Sequence, residues 1–350
     1  MFMVWRAPLD EAGDMFTTTP QRQTEHDPGG PDDGGPVIRV RDLECAYGDF
    51  RAVRGVSFDI APGELFALLG TNGAGKTTTI EALEGFRRPV GGSVRLFGRD
   101  PRREQRALRG RVNAVLQESG TFTDLTVAET VELTRRIHTR PRGTQEVLAL
   151  VNLADRARVR VRQLSGGQKR RLDLALAITT RPEVLLLDEP TTGMDPEARR
   201  ATWNLITDLV AEGTAVLLTT HYLEEAERLA DRLALMHRGR IEVEGRLAEV
   251  LTGWGDRIVF RTPTEAPVPP ELLGTGKEVT DAAGRRTVTY TVTDGDPVHR
   301  AHTAVAALME WADRERVGLE ELALHRASLE DVFLSVADGH EIPTPEGVSR

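Results

Sequence analysis

Short apolar runs alternate with helical stretches through the central part of the chain. Runs with the length and composition of β-strands lie at residues 37–40, 57–60, 65–69, 184–187 and 215–218. Near-continuous apolar strands that alternate with helices are typical of a parallel sheet covered on both faces. The pattern therefore predicts an α/β domain with a parallel-sheet core over residues 37–240.

Two stretches inside this domain have a helical pattern. Residues 103–162 are helical in pattern and rich in arginine, which predicts a helical insertion over about residues 103–165. A second helix is predicted after Asp195, because an acidic N-cap followed by Pro196 is a helix start signal. This helix should end near Glu212.

The two ends of the chain differ in composition from the centre. Glycine and proline occupy eight of the 17 positions from 20 to 36, which predicts a disordered tail over residues 1–36. Beyond residue 240, a proline-rich stretch precedes an alternating strand at residues 287–292 and a helix at residues 297–316. This order predicts a small C-terminal α+β domain over residues 241–337, followed by a tail over residues 338–350.

Composition and charge exclude several classes of protein. The 54 acidic and 45 basic side chains leave a net charge of -9, which opposes nucleic-acid binding as the main activity. No apolar run approaches the roughly 18 residues needed to cross a bilayer, so we do not expect this chain to span a membrane. A single cysteine, Cys45, permits no internal disulfide, and the first ten residues lack a leader pattern. The cytoplasm is therefore the expected compartment.

A glycine-rich pattern indicates a phosphate-binding loop. Residues 70–77 read GTNGAGKT, which matches G-x-x-x-x-G-K-[ST] between a strand candidate and a helical stretch. Glycines let the backbone wrap a phosphate with its N–H groups facing inward, and the next helix adds its positive N-terminal end. The loop positions expected to bind nucleotide in this way are Gly70, Asn72, Gly73 and Gly75.

The residues that follow these glycines carry side chains suited to a triphosphate. Only three of the 45 basic residues are lysines, so Lys76 stands out in a chain that otherwise uses arginine. We expect Lys76 to contact the β- and γ-phosphates, Thr77 to offer its hydroxyl to Mg²⁺, and Thr78 to reach the α-phosphate. The alternative, a simple glycine-rich turn, is weak, because residue frequencies give an accidental match only about a few times in a thousand.

Two adjacent carboxylates follow the apolar run at residues 184–187. Asp188 and Glu189 then lie at the C-terminal end of a strand, where ligands bind in open α/β sheets. Neighbouring side chains on a strand point to opposite faces, so the two should differ in role. Asp188 is expected to hold Mg²⁺ and Glu189 to polarise an attacking water, whereas an acidic surface turn is the alternative.

The pentapeptide LSGGQ at residues 164–168, together with the order of the motifs, resembles the ATP-binding subunits of ABC transporters over about residues 37–240. The resemblance implies a P-loop NTPase fold, that of the ABC ATPases, with a mixed sheet core and a helical insertion. It also implies that Tyr47 stacks on adenine, that Gln117 contacts Mg²⁺ and the attacking water, and that His221 hydrogen-bonds the γ-phosphate. Taken singly, these three would be ordinary surface or core residues.

The same resemblance implies a site shared between two copies of the chain. In the family, the pentapeptide closes on the γ-phosphate of nucleotide held by a partner subunit, a role that falls here on Ser165, Gly166, Gly167 and Gln168. The loop TTGMD at residues 191–195, which ends at Asp195, is similar to the family's subunit-contacting loop. ATP and Mg²⁺ are the implied cofactors, and a second copy of this chain is the implied partner.

Residues 327–334, ASLEDVFL, resemble the C-terminal motif of the daunorubicin-resistance type of ABC ATPase. That subclass implies export of a drug-like or lipid-like compound through a separate ABC-2-type permease, at the cytoplasmic face of the membrane. In the family, the helical insertion docks on that permease. The motif also has a purely structural reading, an amphipathic helix with Leu329, Val332 and Phe333 facing a core. The sequence does not identify the exported compound.

Three rival functions have weaker support. A soluble ABC ATPase of translation or DNA repair would carry two ATP modules or long coiled coils, which 350 residues do not accommodate. A regulatory module that senses ATP with negligible hydrolysis is disfavoured by the intact pair Asp188 and Glu189 and by His221. A GTPase is disfavoured because no Asn-Lys-x-Asp segment is present.

Overall fold

The computed structural model describes residues 35–117, 122–251, 254–263, 267, 275–280, 285–293 and 300–338. The chain divides into two compact units between Val243 and Glu244, close to the boundary predicted at residue 240. Almost all of the two predicted tails lies outside the described residues.

A six-stranded sheet forms the centre of the first unit. In spatial order its strands are β5 (Val112–Val115), β6 (Val184–Asp188), β7 (Ala215–Thr220), β3 (Leu65–Gly70), β8 (Arg232–His237) and β9 (Arg240–Gly245). The first five of these strands pair in parallel. Every residue of β3, β6 and β7 is buried, as expected for parallel strands covered on both faces.

A three-stranded antiparallel sheet packs near one face of this centre. It contains β1 (Ile38–Tyr47), β2 (Phe50–Ile60) and β4 (Gly91–Leu96) in the order β2-β1-β4. Its apolar residues share a buried cluster with residues of β3 and of helix α1 (Lys76–Leu83). Within that cluster the rings of Phe58 and Phe66 stack with centroids 5.1 Å apart.

Helices form the other layer of the first unit. They are α2 (Gln105–Leu108), α3 (Val127–Arg136), α4 (Thr144–Leu150), α5 (Gly166–Ile178), α6 (Pro196–Ala211) and α7 (Leu223–Leu229). A second buried cluster joins α3 to α6 with the sheet. The predicted start and end of α6 are confirmed: the Asp195 carboxylate accepts a 2.8 Å hydrogen bond from the Ala198 N–H, and the helix ends at Ala211.

The structure differs from the sequence prediction in the segment expected to be a helical insertion. Strand β5 lies within residues 103–165, yet it pairs with β6 and belongs to the central sheet. Four residues, of which three are apolar, are too short a run for periodicity to separate a strand from a helix. The helices that pack on one another in this segment begin only at α3.

The second unit has an α+β fold, as the sequence predicts. Its elements are α8 (Leu247–Val250), β10 (Asp256–Pro263), β11 (Thr275–Thr280), β12 (Arg285–Val292), α9 (Arg300–Glu315), β13 (Glu320–His325) and α10 (Leu329–Asp338). The four strands form an antiparallel sheet in the order β11-β12-β10-β13, and α9 packs on it through Leu308 and Trp311. In α10, Leu329 and Val332 are buried, whereas Phe333 is half-buried.

No helix among the described residues combines the length and the apolar composition that crossing a bilayer requires.

Candidate nucleotide site

The residues with candidate chemistry in the first unit follow four neighbouring strands of the central sheet. Because β5, β6, β7 and β3 are parallel, their C-terminal ends lie at the same edge. Gln117 follows β5, Asp188 ends β6, and His221 follows β7, while the loop at residues 71–75 follows β3. The fold thus brings together segments that are up to 150 residues apart in the chain.

The phosphate loop requires glycine at two positions. Gly75 is the N-cap of α1 with φ 108°, a left-handed conformation that L side chains rarely adopt. A Cβ at Gly75 would lie 2.6 Å from the Ala52 carbonyl oxygen, and one at Gly70 would lie 2.4 Å from the Met236 carbonyl oxygen. The tight loop leaves the first N–H groups of α1 without helical acceptors, which is the arrangement that binds anions at helix starts.

Lys76 is held inside this loop. Its side chain is only 5% exposed, and its Nζ donates hydrogen bonds to the Gly70 carbonyl at 2.8 Å and the Thr71 carbonyl at 3.2 Å. Nζ also lies 4.0 Å from Glu189 Oε1. Burial lowers the pKa of Lys76, and the carboxylates of Glu189 and Asp188 act against that shift. The ammonium group therefore already faces the space enclosed by the loop.

Asp188 has one satisfied and one unsatisfied oxygen. The side chain is 1% exposed, and its Oδ1 accepts a hydrogen bond from the Thr219 hydroxyl. Its Oδ2 is buried and has no hydrogen-bond partner among the described residues. An orphaned buried carboxylate oxygen is costly unless a proton or a cation satisfies it.

This oxygen and its surroundings fit Mg²⁺. Hard divalent cations prefer oxygen ligands, and Mg²⁺ usually keeps water and phosphate ligands beside one or two protein groups. Thr77 lies exposed in the first turn of α1, and Gln117 lies exposed after β5. Within the described part of the chain, no group of three or more His, Cys, Asp or Glu side chains could by itself hold a metal ion.

Glu189 and His221 face each other across the same edge. Glu189 Oε1 lies 3.2 Å from His221 Nδ1, and the Thr192 hydroxyl donates to Glu189 Oε2 at 3.3 Å. The Glu189 backbone has φ 49°, and its N–H donates to the Thr219 carbonyl at 3.0 Å. A left-handed conformation costs a non-glycine residue about 1–2 kcal/mol, and such strained residues cluster at functional sites.

Tyr47 lies at the end of β1 next to α1. The phenol donates to Glu81 Oε2 at 3.0 Å and lies 3.3 Å from the Thr78 hydroxyl. The Arg87 guanidinium sits 3.8 Å from the ring centroid, a cation–π contact. With Arg87 on one face of the ring, a base would stack on the opposite face or displace the arginine.

The pentapeptide begins α5. Ser165 is the exposed N-cap: its hydroxyl accepts from the Gln168 N–H at 3.3 Å, and the Gln168 side chain accepts from the Ser165 N–H at 3.0 Å. A Cβ added to Gly166 would meet open space, while a Cβ on Gly167 would lie 3.4 Å from the Gly193 carbonyl oxygen. The side-chain hydrogen bonds described for the pentapeptide therefore join residues three positions apart, Ser165 and Gln168. The hydrogen bond with which Asp195 caps α6 likewise reaches only to Ala198.

Sequence reasoning missed three residues that support this site. Thr219 bonds Asp188 from the neighbouring strand, a contact that only the strand order reveals. Glu225 is fully buried and accepts from the Thr191 hydroxyl at 2.5 Å and from the Trp203 indole at 2.9 Å, which anchors the loop at residues 191–195. Arg170 bonds the main chain around Glu189. In a chain with 42 arginines, its identity carried no signal.

A further carboxyl group, Glu84, lies buried behind the site. Both of its side-chain oxygens lack hydrogen-bond partners among the described residues. Burial, followed by the charges of Asp188 and Glu81, raises the pKa of Glu84 to about 8. At neutral pH this group is therefore mainly protonated and adds little negative charge beside Asp188.

Fold and site together define a class of protein. A glycine-rich loop that joins a central parallel strand to a helix, a buried lysine in that loop, and an acidic pair at the C-terminal end of another parallel strand of the same sheet are the features of a P-loop nucleoside triphosphatase.

Comparisons with known proteins identify the family within this class. The ABC transporter family matches residues 53–192. The chain is 40% identical over 308 residues to the daunorubicin resistance ATP-binding protein DrrA3 of Streptomyces coeruleorubidus, covering 85% of this chain and 95% of that protein. It is also 40% identical over 306 residues to the Nod factor export ATP-binding protein I of Paraburkholderia xenovorans, covering 85% and 96%.

Solved structures agree with this result. An ATP-binding subunit of an ABC transporter matches with a TM-score of 0.57 and 28% identity, covering 61% of this chain and 92% of its own. The chain therefore belongs to the ATP-binding subunits of ABC transporters, the family that its motifs resemble. It is an ATPase of that family.

Proposed function

We propose that this chain hydrolyses Mg-ATP within a sandwich of two copies and thereby powers export through a separate membrane protein. The observation that carries the proposal is the 40% identity to a daunorubicin resistance protein, which spans 308 residues and so reaches beyond the ATPase unit. A second relative of equal identity is named for Nod factor export. Both names describe outward transport or resistance, which supports export over import.

Binding of the triphosphate falls to the loop and its lysine. The backbone at Gly70, Asn72, Gly73 and Gly75 and the start of α1 receive the phosphates, and Thr78 lies on the same helix, where its hydroxyl or backbone reaches the α-phosphate. Lys76 then exchanges its bonds with the loop carbonyls for bonds with the β- and γ-phosphates. Tyr47, at the edge of the same helix, holds the adenine.

Metal binding falls to three residues. Asp188 Oδ2, the Thr77 hydroxyl and the Gln117 side chain would hold Mg²⁺, which when bound neutralises charge on the β- and γ-phosphates. The unpartnered Oδ2 is the feature of this chain that supports the assignment.

Hydrolysis needs positioning and charge stabilisation rather than a covalent intermediate. Glu189 orients and polarises the attacking water as general base. His221 is placed 3.2 Å from that carboxylate and would hydrogen-bond the γ-phosphate. Gln117 contacts the same water from the C-terminal end of β5, at the same edge of the sheet.

The pentapeptide, in which Ser165 and Gly166 are exposed, supports a site completed by a second copy. Ser165, Gly166, Gly167 and Gln168 form the N-terminal end of the 13-residue helix α5, whose orphan N–H groups favour an anion. Their own hydrogen bonds are local, so the partner's nucleotide supplies the missing acceptor. Asp195 and its loop would line the seam between the copies.

Docking on a membrane protein is assigned to the helical segment. Phe122, Leu133 and Ile137 lie in that segment and expose 51%, 37% and 62% of their surface. An ABC-2-type permease at the cytoplasmic face of the membrane is the proposed partner, with a drug-like or lipid-like compound as cargo.

Transport is tested with membrane vesicles. The chain is co-expressed with the hydrophobic protein that copurifies with it from membranes of its own host, and daunorubicin is the probe in inside-out vesicles. We expect ATP-dependent daunorubicin accumulation, at least about tenfold above vesicles that carry Glu189→Gln. Equal accumulation in both preparations, or ATP-driven uptake only in right-side-out vesicles, would contradict drug export by this chain.

A further inference from the structure

Helix α5 carries both the exposed pentapeptide end and a buried arginine. Ser165 is its N-cap, and Arg170 follows five positions later with only 7% of its surface exposed. At a rise of about 1.5 Å per residue, the two residues are separated by roughly 7–8 Å along one rigid helix. Anything that displaces the start of α5 therefore displaces Arg170 as well.

The Arg170 guanidinium bonds four main-chain carbonyls. Its Nε donates to Pro190 at 3.3 Å, and its Nη2 donates to Glu189 at 3.0 Å and to Asp188. Its Nη1 donates to the carbonyl of Leu116, the residue before Gln117. One side chain thus connects α5 with the backbone of both the general base and the glutamine that follows β5.

The chemistry of these bonds points to positioning rather than to charge neutralisation. All four acceptors are neutral carbonyls, and the planar guanidinium offers five donors in a fixed geometry. Burial lowers the pKa of Arg170, with Asp173, Asp188 and Glu189 acting against the shift, yet a guanidinium stays protonated in proteins. The Arg170 guanidinium therefore donates to its four carbonyl acceptors at every pH at which the protein is folded.

We propose that Arg170 is a positioning residue that couples the two ATP sites of the sandwich. The N-terminal end of α5 senses nucleotide held by the partner, and Arg170 transmits the resulting position of α5 to Glu189 and Gln117 of its own chain. Each site then becomes competent for hydrolysis only when the opposite site is filled. This inference rests on the proposed sandwich and adds a route between its two sites.

The test compares two arginines on the same helix. Arg170→Lys keeps the charge but loses the planar fork, whereas Arg171→Lys changes a neighbour whose guanidinium donates to the Val151 and Asn152 carbonyls. ATP hydrolysis by the full chain is measured against ATP concentration, with nucleotide binding and thermal unfolding measured in parallel. We expect a Hill coefficient above 1 for the unsubstituted chain and for Arg171→Lys.

Arg170→Lys is expected to lower the Hill coefficient to about 1 and kcat by about 2- to 30-fold, with ATP binding to the single copy unchanged. A lower kcat with the original Hill coefficient would show that Arg170 only holds the main chain of its own site, and this would overturn the coupling. Equal behaviour of the two lysine variants would also overturn it.

A second measurement leaves Arg170 in place. Mixed dimers are formed from one unsubstituted copy and one Lys76→Ala copy, so that only the site built on the unsubstituted phosphate loop is filled. Turnover at that site should fall at least about tenfold, because α5 of the unsubstituted copy then faces an empty site. Full turnover at that site would refute the coupling through Arg170 without contradicting the proposed two-copy site. Hydrolysis by strictly single copies would refute the two-copy site itself.

Discussion

Glu189→Gln is expected to lower the rate of ATP hydrolysis by about 100-fold or more while ATP binding stays within a few-fold of the unsubstituted chain. The amide keeps the shape of the side chain but cannot accept a proton from water, and positioned general bases contribute factors of about 10² to 10⁴. Phosphate release measures turnover, and a fluorescent ATP analogue measures binding.

The geometry makes this variant informative about rate rather than folding. Glu189 is 12% exposed, and an amide can still accept from the Thr192 hydroxyl. Glu197→Gln, an exposed glutamate in the first turn of α6, is the matched control and should hydrolyse ATP normally. Undiminished hydrolysis by Glu189→Gln would reject the assigned base.

Lys76→Ala should weaken ATP binding by about 100-fold, and hydrolysis should be lost with it. The buried Lys76 ammonium lies against the carbonyls of the phosphate loop, and removing one partner from a buried charge pair commonly costs about 2–5 kcal/mol. Thermal stability should not fall to the same degree, since burial already penalises the charged lysine.

Lys169→Ala provides the control for this loss of a lysine. Lys169 is exposed on α5. The Lys169→Ala variant should therefore bind ATP with the affinity of the unsubstituted chain. Equilibrium binding of the fluorescent analogue compares the two variants. Normal affinity in Lys76→Ala would show that the loop does not grip the triphosphate through this side chain.

Local signals explain which parts of the site the sequence could predict. The phosphate loop and the pair Asp188 and Glu189 each follow a fully apolar strand, so the strand, the turn and the chemistry lie within a few residues of one another. The start of α6 is local for the same reason, since Asp195 caps the helix that Pro196 begins. Such features follow from propensity and spacing alone.

Other parts depend on contacts between distant segments. Thr219 supports Asp188 only because β7 lies beside β6, and Arg170 reaches the Glu189 carbonyl only because α5 packs under that strand end. Strand β5 has four residues, and its pairing with β6 rather than its own pattern identifies it. Arg87 on the ring of Tyr47 is likewise a tertiary contact.

The composite site between two copies is tested most directly by the mass of Glu189→Gln in solution. Light scattering should report a single copy of 38.5 kDa with ADP and twice that mass with excess ATP and Mg²⁺, because bound ATP persists at the seam. Adding Ser165→Arg to this variant should restore the single-copy mass, since a bulky side chain then occupies the pentapeptide end. A Glu189→Gln chain that binds ATP yet remains at 38.5 kDa would contradict a nucleotide site shared between copies.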